Sequence, residues 1–296
     1  YAAKTSAVAV NFNSITFVVK PGKRNKPAKI IVEPPNEYIE VINKTRTGRK
    51  YSLKIKSVLQ NGKEIFTITG KIPTYLKKKT IYRNVQNPAS YAGAVIKTLL
   101  TQNGISIAGE IREGPVPARA FLLSQEPSKP LTLIIRDMNK FSNNFIAEQT
   151  LKHLGAIKKG LPGTTTKGLA VINQHLTDIG IAANELFLQN GSGLSLQTKL
   201  SAEQIMKVLL YSYKNFSTQA ELIASLPILG IDGTMKKWPQ NNGLHGLLRA
   251  KTGTLASCSA LAGYIPMQNG ELAAFVILTN DFKRNIDEVR KTQLKL

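Results

Sequence analysis

The sequence predicts an α+β protein of 296 residues, with a smaller all-β segment over residues 1–83 and helices with an antiparallel sheet over residues 84–296. Three observations predict this. Apolar residues alternate with period two through the front segment. From residue 84 they recur at helical spacing instead. Two apolar, strand-like runs, Arg249–Leu255 and Leu272–Leu278, then lie near the end of the chain. Helices followed by strands in one stretch fit an α+β domain.

In the front segment Val8, Val10 and Phe12 alternate with other residues, and Ile15, Phe17 and Val19 resume the period after a one-residue slip. Such a slip predicts a bulge or a turn. Pro21-Gly22 breaks the run. Leu53 and Ile55 alternate with Lys54 and Lys56, and Asn61-Gly62 separates that run from Ile65–Ile68. Asn-Gly between two such runs predicts a hairpin. Lysines on the polar face would blunt exposed sheet edges.

In the second segment Ala92, Val95, Ile96 and Leu99 predict a helix over Ala89–Gln102, ended by Asn103-Gly104. Leu131–Arg136 predicts a short strand or a helix start. Phe145–Leu154 predicts a helix closed by Gly155, and Lys167–Ile179 one closed by Gly180. Ser201-Ala202-Glu203-Gln204 predicts a capping box opening the helix Ala202–Tyr213. The two closing strands are expected to neighbour each other across the Ser259–Asn269 connection.

Composition narrows the function classes. No run approaches about 18 consecutive apolar residues, so no transmembrane helix is expected. No signal peptide is visible. The start at Tyr1 without Met suggests a processed or truncated product. A single cysteine, Cys258, excludes an internal disulfide. His153, His175 and His245 lack metal-ligand spacing, and neither a metal nor another cofactor is expected. The net charge of +22 is uneven, because residues 1–83 carry 18 of the 40 Lys+Arg but only 4 of the 18 Asp+Glu. That segment is expected to attract polyanions: nucleic acid, acidic lipid headgroups or an anionic wall polymer. Nucleic acid is not expected as the partner, since no binding motif is present and few aromatics stand among the lysines.

The chemistry concentrates in two stretches. Ser142-Asn143-Asn144 lies on a turn before a helix, where a Ser hydroxyl can relay a proton and an Asn amide can donate to a carbonyl. An ordinary helix cap explains either residue alone. In Lys251-Thr252-Gly253-Thr254, Lys251 can hold an anionic substrate end and the Thr252 and Thr254 hydroxyls can bind a carboxylate. Gly253 admits a ligand close to the backbone, and the Thr254 N–H can donate to an oxyanion. Alone, this stretch is also an ordinary strand with a glycine. Ser-x-Asn and Lys-Thr-Gly are two of three signatures of penicillin-interacting serine enzymes. The third, Ser-x-x-Lys, carries the nucleophile, and no serine in the sequence has Lys three residues on.

Two turns accompany them, Asn190–Ser195, which contains Ser192, and Asp232-Gly233-Thr234. Together with Asn87–Gly93, the run Met138–Asn144 and Ala147-Glu148, the set resembles the D-alanyl-D-alanine carboxypeptidase/endopeptidase family of class C low-molecular-mass penicillin-binding proteins. The resemblance covers nearly the whole chain. It implies a transpeptidase-like penicillin-binding domain over residues 84–296 and a partial accessory β domain over residues 1–83. It implies a nucleophilic Ser upstream of this chain, on a fragment of the same gene product, that attacks D-Ala-D-Ala peptides of peptidoglycan in the periplasm and is acylated by β-lactams. In that scheme Ser142 relays a proton to the leaving group, Asn144 holds the substrate amide, and Lys251 and Thr252 hold the substrate terminus. Gly253 and Ser192 line the substrate site, and Thr254 offers an oxyanion-hole N–H. Peripheral membrane or wall association would fall to the basic segment. The alternative is a wall-binding scaffold with a decayed active site. A β-lactamase shares the motif trio, but the β segment and the Asn190–Ser195 loop point away from it.

Overall fold

A computed structural model describes residues 4–239, 243–255, 257–283 and 285–295. The chain divides into two compact units, Tyr1–Ser124 and Gln125–Leu296. The change of sequence pattern at residue 84 coincides with the end of a strand. The compact division comes later, because the first helix packs on the β core of the front unit.

That front unit contains two three-stranded sheets. In one, β1 (Ser14–Lys20) lies between β2 (Lys29–Glu33) and β6 (Lys79–Asn84), all antiparallel. In the other, β5 (Lys63–Pro73) lies between β3 (Ile39–Gly48), which runs parallel to it, and β4 (Lys54–Gln60), which runs antiparallel. The expected Asn61-Gly62 hairpin joins β4 to β5, with both residues at positive φ. Ile15, Phe17 and Val19 on β1 are fully buried with Phe66 and Ile68 on β5, and the Phe17 and Phe66 rings lie 4.9 Å apart. α1 (Pro88–Gln102), capped by Asn87, adds Tyr91 and Val95 to the same core. The alternation expected at Val8–Phe12 does not make a strand. Asn11–Asn13 form a 3-10 turn in the left-handed region instead, which asparagine tolerates, and this turn is the phase slip.

The second unit packs helices on both faces of an antiparallel sheet. Its helices are α2 (Leu131–Phe141), α3 (Asn144–Lys159), α4 (Thr165–Asp178), α5 (Ala202–Lys214) and α6 (Phe216–Ser225). The sheet order is β7 (Arg249–Leu255), β8 (Cys258–Pro266), β9 (Leu272–Thr279), and α7 (Ile286–Gln293) follows. The two strands expected to be neighbours are therefore separated by β8, which the expected connection had concealed. Ala250, Leu261 and Phe275 face a core with Leu229, Met235, Trp238 and Leu294. Tyr264 faces the opposite way and donates its hydroxyl to the α5 carbonyl of Leu209 at 2.7 Å.

Gly155 does not close α3, which runs on to a C-cap at Gly160. Gly155 and Gly168 instead let α3 and α4 cross closely. A Cβ on Gly168 would stand 2.2 Å from the Leu151 carbonyl oxygen, and one on Gly155 2.6 Å from the Gly168 nitrogen. Backbone atoms cannot swing aside, so the clash acts as overpacking. Gly168→Ala is expected to destabilise the protein by about 2 kcal/mol or more. A melting temperature within about 1 °C of wild type, the scatter of such a measurement, would refute this reading of the crossing.

Candidate functional site

The site begins where α2 hands over to α3. Ser142 ends α2 in the left-handed conformation, φ 51° and ψ 50°. Asn143 then caps α3, its side-chain oxygen accepting from the Ile146 N–H at 3.1 Å. The cap therefore belongs to Asn143, and the Ser142 hydroxyl is left for other chemistry. Asn144 opens α3, half-buried, and its amide has no hydrogen-bond partner among the described residues.

The second wall is β7. Successive side chains on a strand point to opposite faces. Ala250 and Thr252 look toward the Met235–Trp238 core, while Lys251 and Gly253 look the other way. Lys251 Nζ donates to Ser142 Oγ at 2.8 Å and to the Thr252 carbonyl at 2.7 Å. These two stretches, 109 residues apart, thus meet side chain to side chain. Among the described residues no carboxylate pairs with Lys251. Burial pushes its ammonium down from 10.5 to about 8.

The edge of β7 away from β8 is also defined. Ala250 N–H points there, donating to Pro227 O at 3.0 Å. By the period of two, the N–H and C=O of Thr252 and Thr254 point to the same side. No strand pairs with Thr252 or Thr254 there among the described residues, and Gly253 and Thr254 are exposed. This leaves backbone donors beside the Lys251 ammonium, the arrangement that binds an extended peptide or a developing oxyanion.

Two clamps hold the walls. Lys140 Nζ donates to Asp232 Oδ2 at 2.7 Å with the lysine side chain only 10% exposed, and Asp232 Oδ1 accepts from the Ile228 N–H at 2.8 Å. Gly233, at φ +58°, brings this turn against α2, since a Cβ there would lie 2.5 Å from the Lys140 carbonyl oxygen. Thr234 Oγ1 then meets Thr252 Oγ1 at 2.8 Å. The Asp232-Gly233-Thr234 turn thus ties α2 to β7. Lys140 has no sequence signal beyond its place in the Met138–Asn144 run.

Ser192 lies elsewhere in the site's framework. Its N–H and its hydroxyl both donate to Glu148 Oε1, at 2.9 and 2.6 Å. Glu148 stands one turn after Asn144 on α3, so the Asn190–Ser195 loop is fastened to the helix that carries Asn144. The role of Glu148 is invisible in the sequence, because its partner is 44 residues away. Among the described residues no cluster of three His, Cys, Asp or Glu side chains is placed to hold a metal, and no helix is long and apolar enough to cross a membrane.

Comparison with known proteins gives one picture. The profile of the D-Ala-D-Ala carboxypeptidase 3 (S13) family matches residues 1–295. The chain is 32% identical over 295 residues to a D-alanyl-D-alanine carboxypeptidase of Actinomadura sp. (strain R39), covering 95% of this chain and 54% of that one. It is 31% identical over 206 residues to D-alanyl-D-alanine carboxypeptidase DacB of Haemophilus influenzae, covering 67% of this chain and 42% of that one. The crystal structure of penicillin binding protein 4 (dacB) from Haemophilus influenzae, complexed with a novel β-lactam, superposes with a TM-score of 0.79 at 25% identity, over 98% of this chain and 69% of that one. The chain spans about half the length of the curated relatives it matches.

Proposed function

The chain belongs to the D-Ala-D-Ala carboxypeptidase 3 (S13) family, and on that basis we propose that it forms the substrate-holding part of a serine D-Ala-D-Ala carboxypeptidase/endopeptidase. The enzyme hydrolyses peptidoglycan peptides in the bacterial periplasm through an acyl-enzyme and is β-lactam-sensitive. The attacking serine, with its Ser-x-x-Lys lysine, lies in residues outside this sequence. The observation that carries the reading is the 2.8 Å contact of Lys251 with Ser142 on an edge strand whose Thr252 and Thr254 pair with no other strand on the outer side among the described residues.

In this reading the substrate peptide lies along β7. The Thr254 N–H receives the carbonyl oxygen as it becomes an oxyanion, and Asn144 donates to the substrate amide. The Lys251 ammonium holds the terminal carboxylate end, with Gly253 leaving room for the chain, while the Thr252 hydroxyl, expected to share that task, is turned to the core and steadies the strand through Thr234. Ser142, already in contact with Lys251, passes a proton to the leaving amine. The attacking serine forms the ester that water then cleaves. Ser192 shapes the rim through Glu148.

The test is fluorescent penicillin on the complete gene product, followed by peptide mapping. The expected result is one covalent label on a serine that lies outside the 296 residues and is followed by Lys at the third position. A complete, folded protein that takes no label would overturn the hydrolase reading and leave the wall-binding scaffold.

A further inference from the structure

The charge of the front unit is concentrated on one surface. Register places the rows Ile42, Thr67, Lys56 and Lys44, Thr69, Lys54 across the sheet, and sets Arg46 directly opposite Lys71. Paired residues share a face. The opposite face carries the buried Thr45, Thr47, Phe66 and Ile68. All five cations, Lys44, Arg46, Lys54, Lys56 and Lys71, are exposed. None has a side-chain hydrogen bond, and none has an ion pair, among the described residues. The nearest acid on this face, Glu40, lies two rows beyond Lys44, at the end that carries Ile42 and Val58.

Blunting sheet edges accounts for lysines on β3 and β4, which are edge strands. It does not account for Lys71 on the central strand β5, which stands directly opposite Arg46. Like charges in such a pair repel. Cations on alternate positions of one strand stand about 6.7 Å apart, and neighbouring strands about 4.8 Å, so the face offers a two-dimensional array of positive charge. The Thr67 and Thr69 hydroxyls between the cations add donors to anionic oxygens.

We infer that this sheet face is a docking surface for a linear phosphodiester polymer without bases, a polyol-phosphate of the cell wall. Charge complementarity and the threonine donors select phosphate oxygens. The absence of any aromatic side chain on the face argues against single-stranded nucleic acid, which stacks its bases on such rings. Of the cations only Lys56 shares a row with an apolar side chain, Ile42, and the row of Val58 carries the acid Glu40, which argues against a lipid surface. The wall as the polymer's source rests on the proposed function. Binding itself does not, and penicillin labelling reads the two apart.

Fluorescence anisotropy with dye-labelled synthetic poly(glycerol phosphate) tests the inference on the full chain. The quadruple variant Lys44→Gln/Lys54→Gln/Lys56→Gln/Lys71→Gln is expected to bind at least about tenfold more weakly. It is also expected to lower the slope of log K against log salt by about 3, near 0.7 for each phosphate that is no longer neutralised. A control with the same charge change, Lys20→Gln/Lys29→Gln/Lys77→Gln/Lys78→Gln, is expected within about twofold of wild type, because non-local charge is screened at about 0.1 M salt. Circular dichroism verifies both folds. If the quadruple variant misfolds, Lys54→Gln/Lys56→Gln is expected to lower the slope by about half as much. Equal weakening in the control, no weakening in the face variants, or tighter binding to single-stranded DNA or to phosphatidylglycerol vesicles than to the polymer would each overturn the inference.

Discussion

Lys251→Met in the complete protein is expected to slow acylation by penicillin about 100- to 1,000-fold, the loss typical when one charge-stabilising donor is removed, while thermal stability holds or rises. The split follows from the site. Lys251 is part-buried and, among the described residues, bonded only to a hydroxyl and a carbonyl. No carboxylate among the described residues balances its ammonium, and burial pushes it down to about 8. A methionine of similar length fills the same space without that charge. A lysine held only for packing would give the opposite result: unchanged acylation with lower stability.

The same residue dictates a pH profile. Above pH 8 the wild-type ammonium loses its proton, so acylation is expected to fall on the alkaline side with a midpoint near 8. Lys251→Arg keeps its charge, and that limb is expected to vanish even if the absolute rate drops. Stability runs the other way. Lys251 has a folded value of about 8 against an ordinary 10.5, so between those pH values the unfolded chain binds more protons. Its cost to stability is therefore full below pH 8 and is relieved as pH rises toward 10.5. The methionine variant is expected to lack this rise. Denaturant midpoints for both proteins across roughly pH 7–10, a span bracketing the shifted lysine, would show whether the two curves run parallel, which would refute it.

How much of this was legible in the sequence depends on the range of each interaction. α1, α5 with its capping box and the β4–β5 hairpin were legible because their signals are local: helical spacing, Ser201 with Gln204, and Asn61-Gly62. β8 was not. Its Ser259, Ala260, Ala262 and Gly263 are small residues with weak strand character, and only pairing on both sides makes it the central strand. α7 escaped because Ile286 and Val289 are its only apolar residues. Gly155 read as a helix stop because its real partner, Gly168, belongs to another helix. In the site, the meeting of Ser142 with Lys251 was legible only through paired motifs. The Lys140–Asp232 clamp joins residues 92 apart and has no local trace.

Ser142→Gly is the sharper of the two tests, because it separates the hydroxyl from the backbone. Ser142 sits at φ 51°, where glycine is at ease and a side chain is mildly strained. The helix cap is made by Asn143, and Ser142 contributes no side-chain bond to it. Glycine is therefore expected to leave the melting temperature at or above wild type. Acylation, by contrast, is expected to fall about 100-fold or more, the usual yield of a positioned proton-transfer group. The Lys251 ammonium also loses one of its two acceptors in the variant, so its alkaline midpoint is expected to move below that of the wild type. A structural role for Ser142 would lower stability and acylation together and leave the pH midpoint in place. The expected pattern separates the first two and shifts the third. Acylation at the wild-type rate in a folded Ser142→Gly protein would remove Ser142 from the reaction and leave Lys251 to act on the substrate alone.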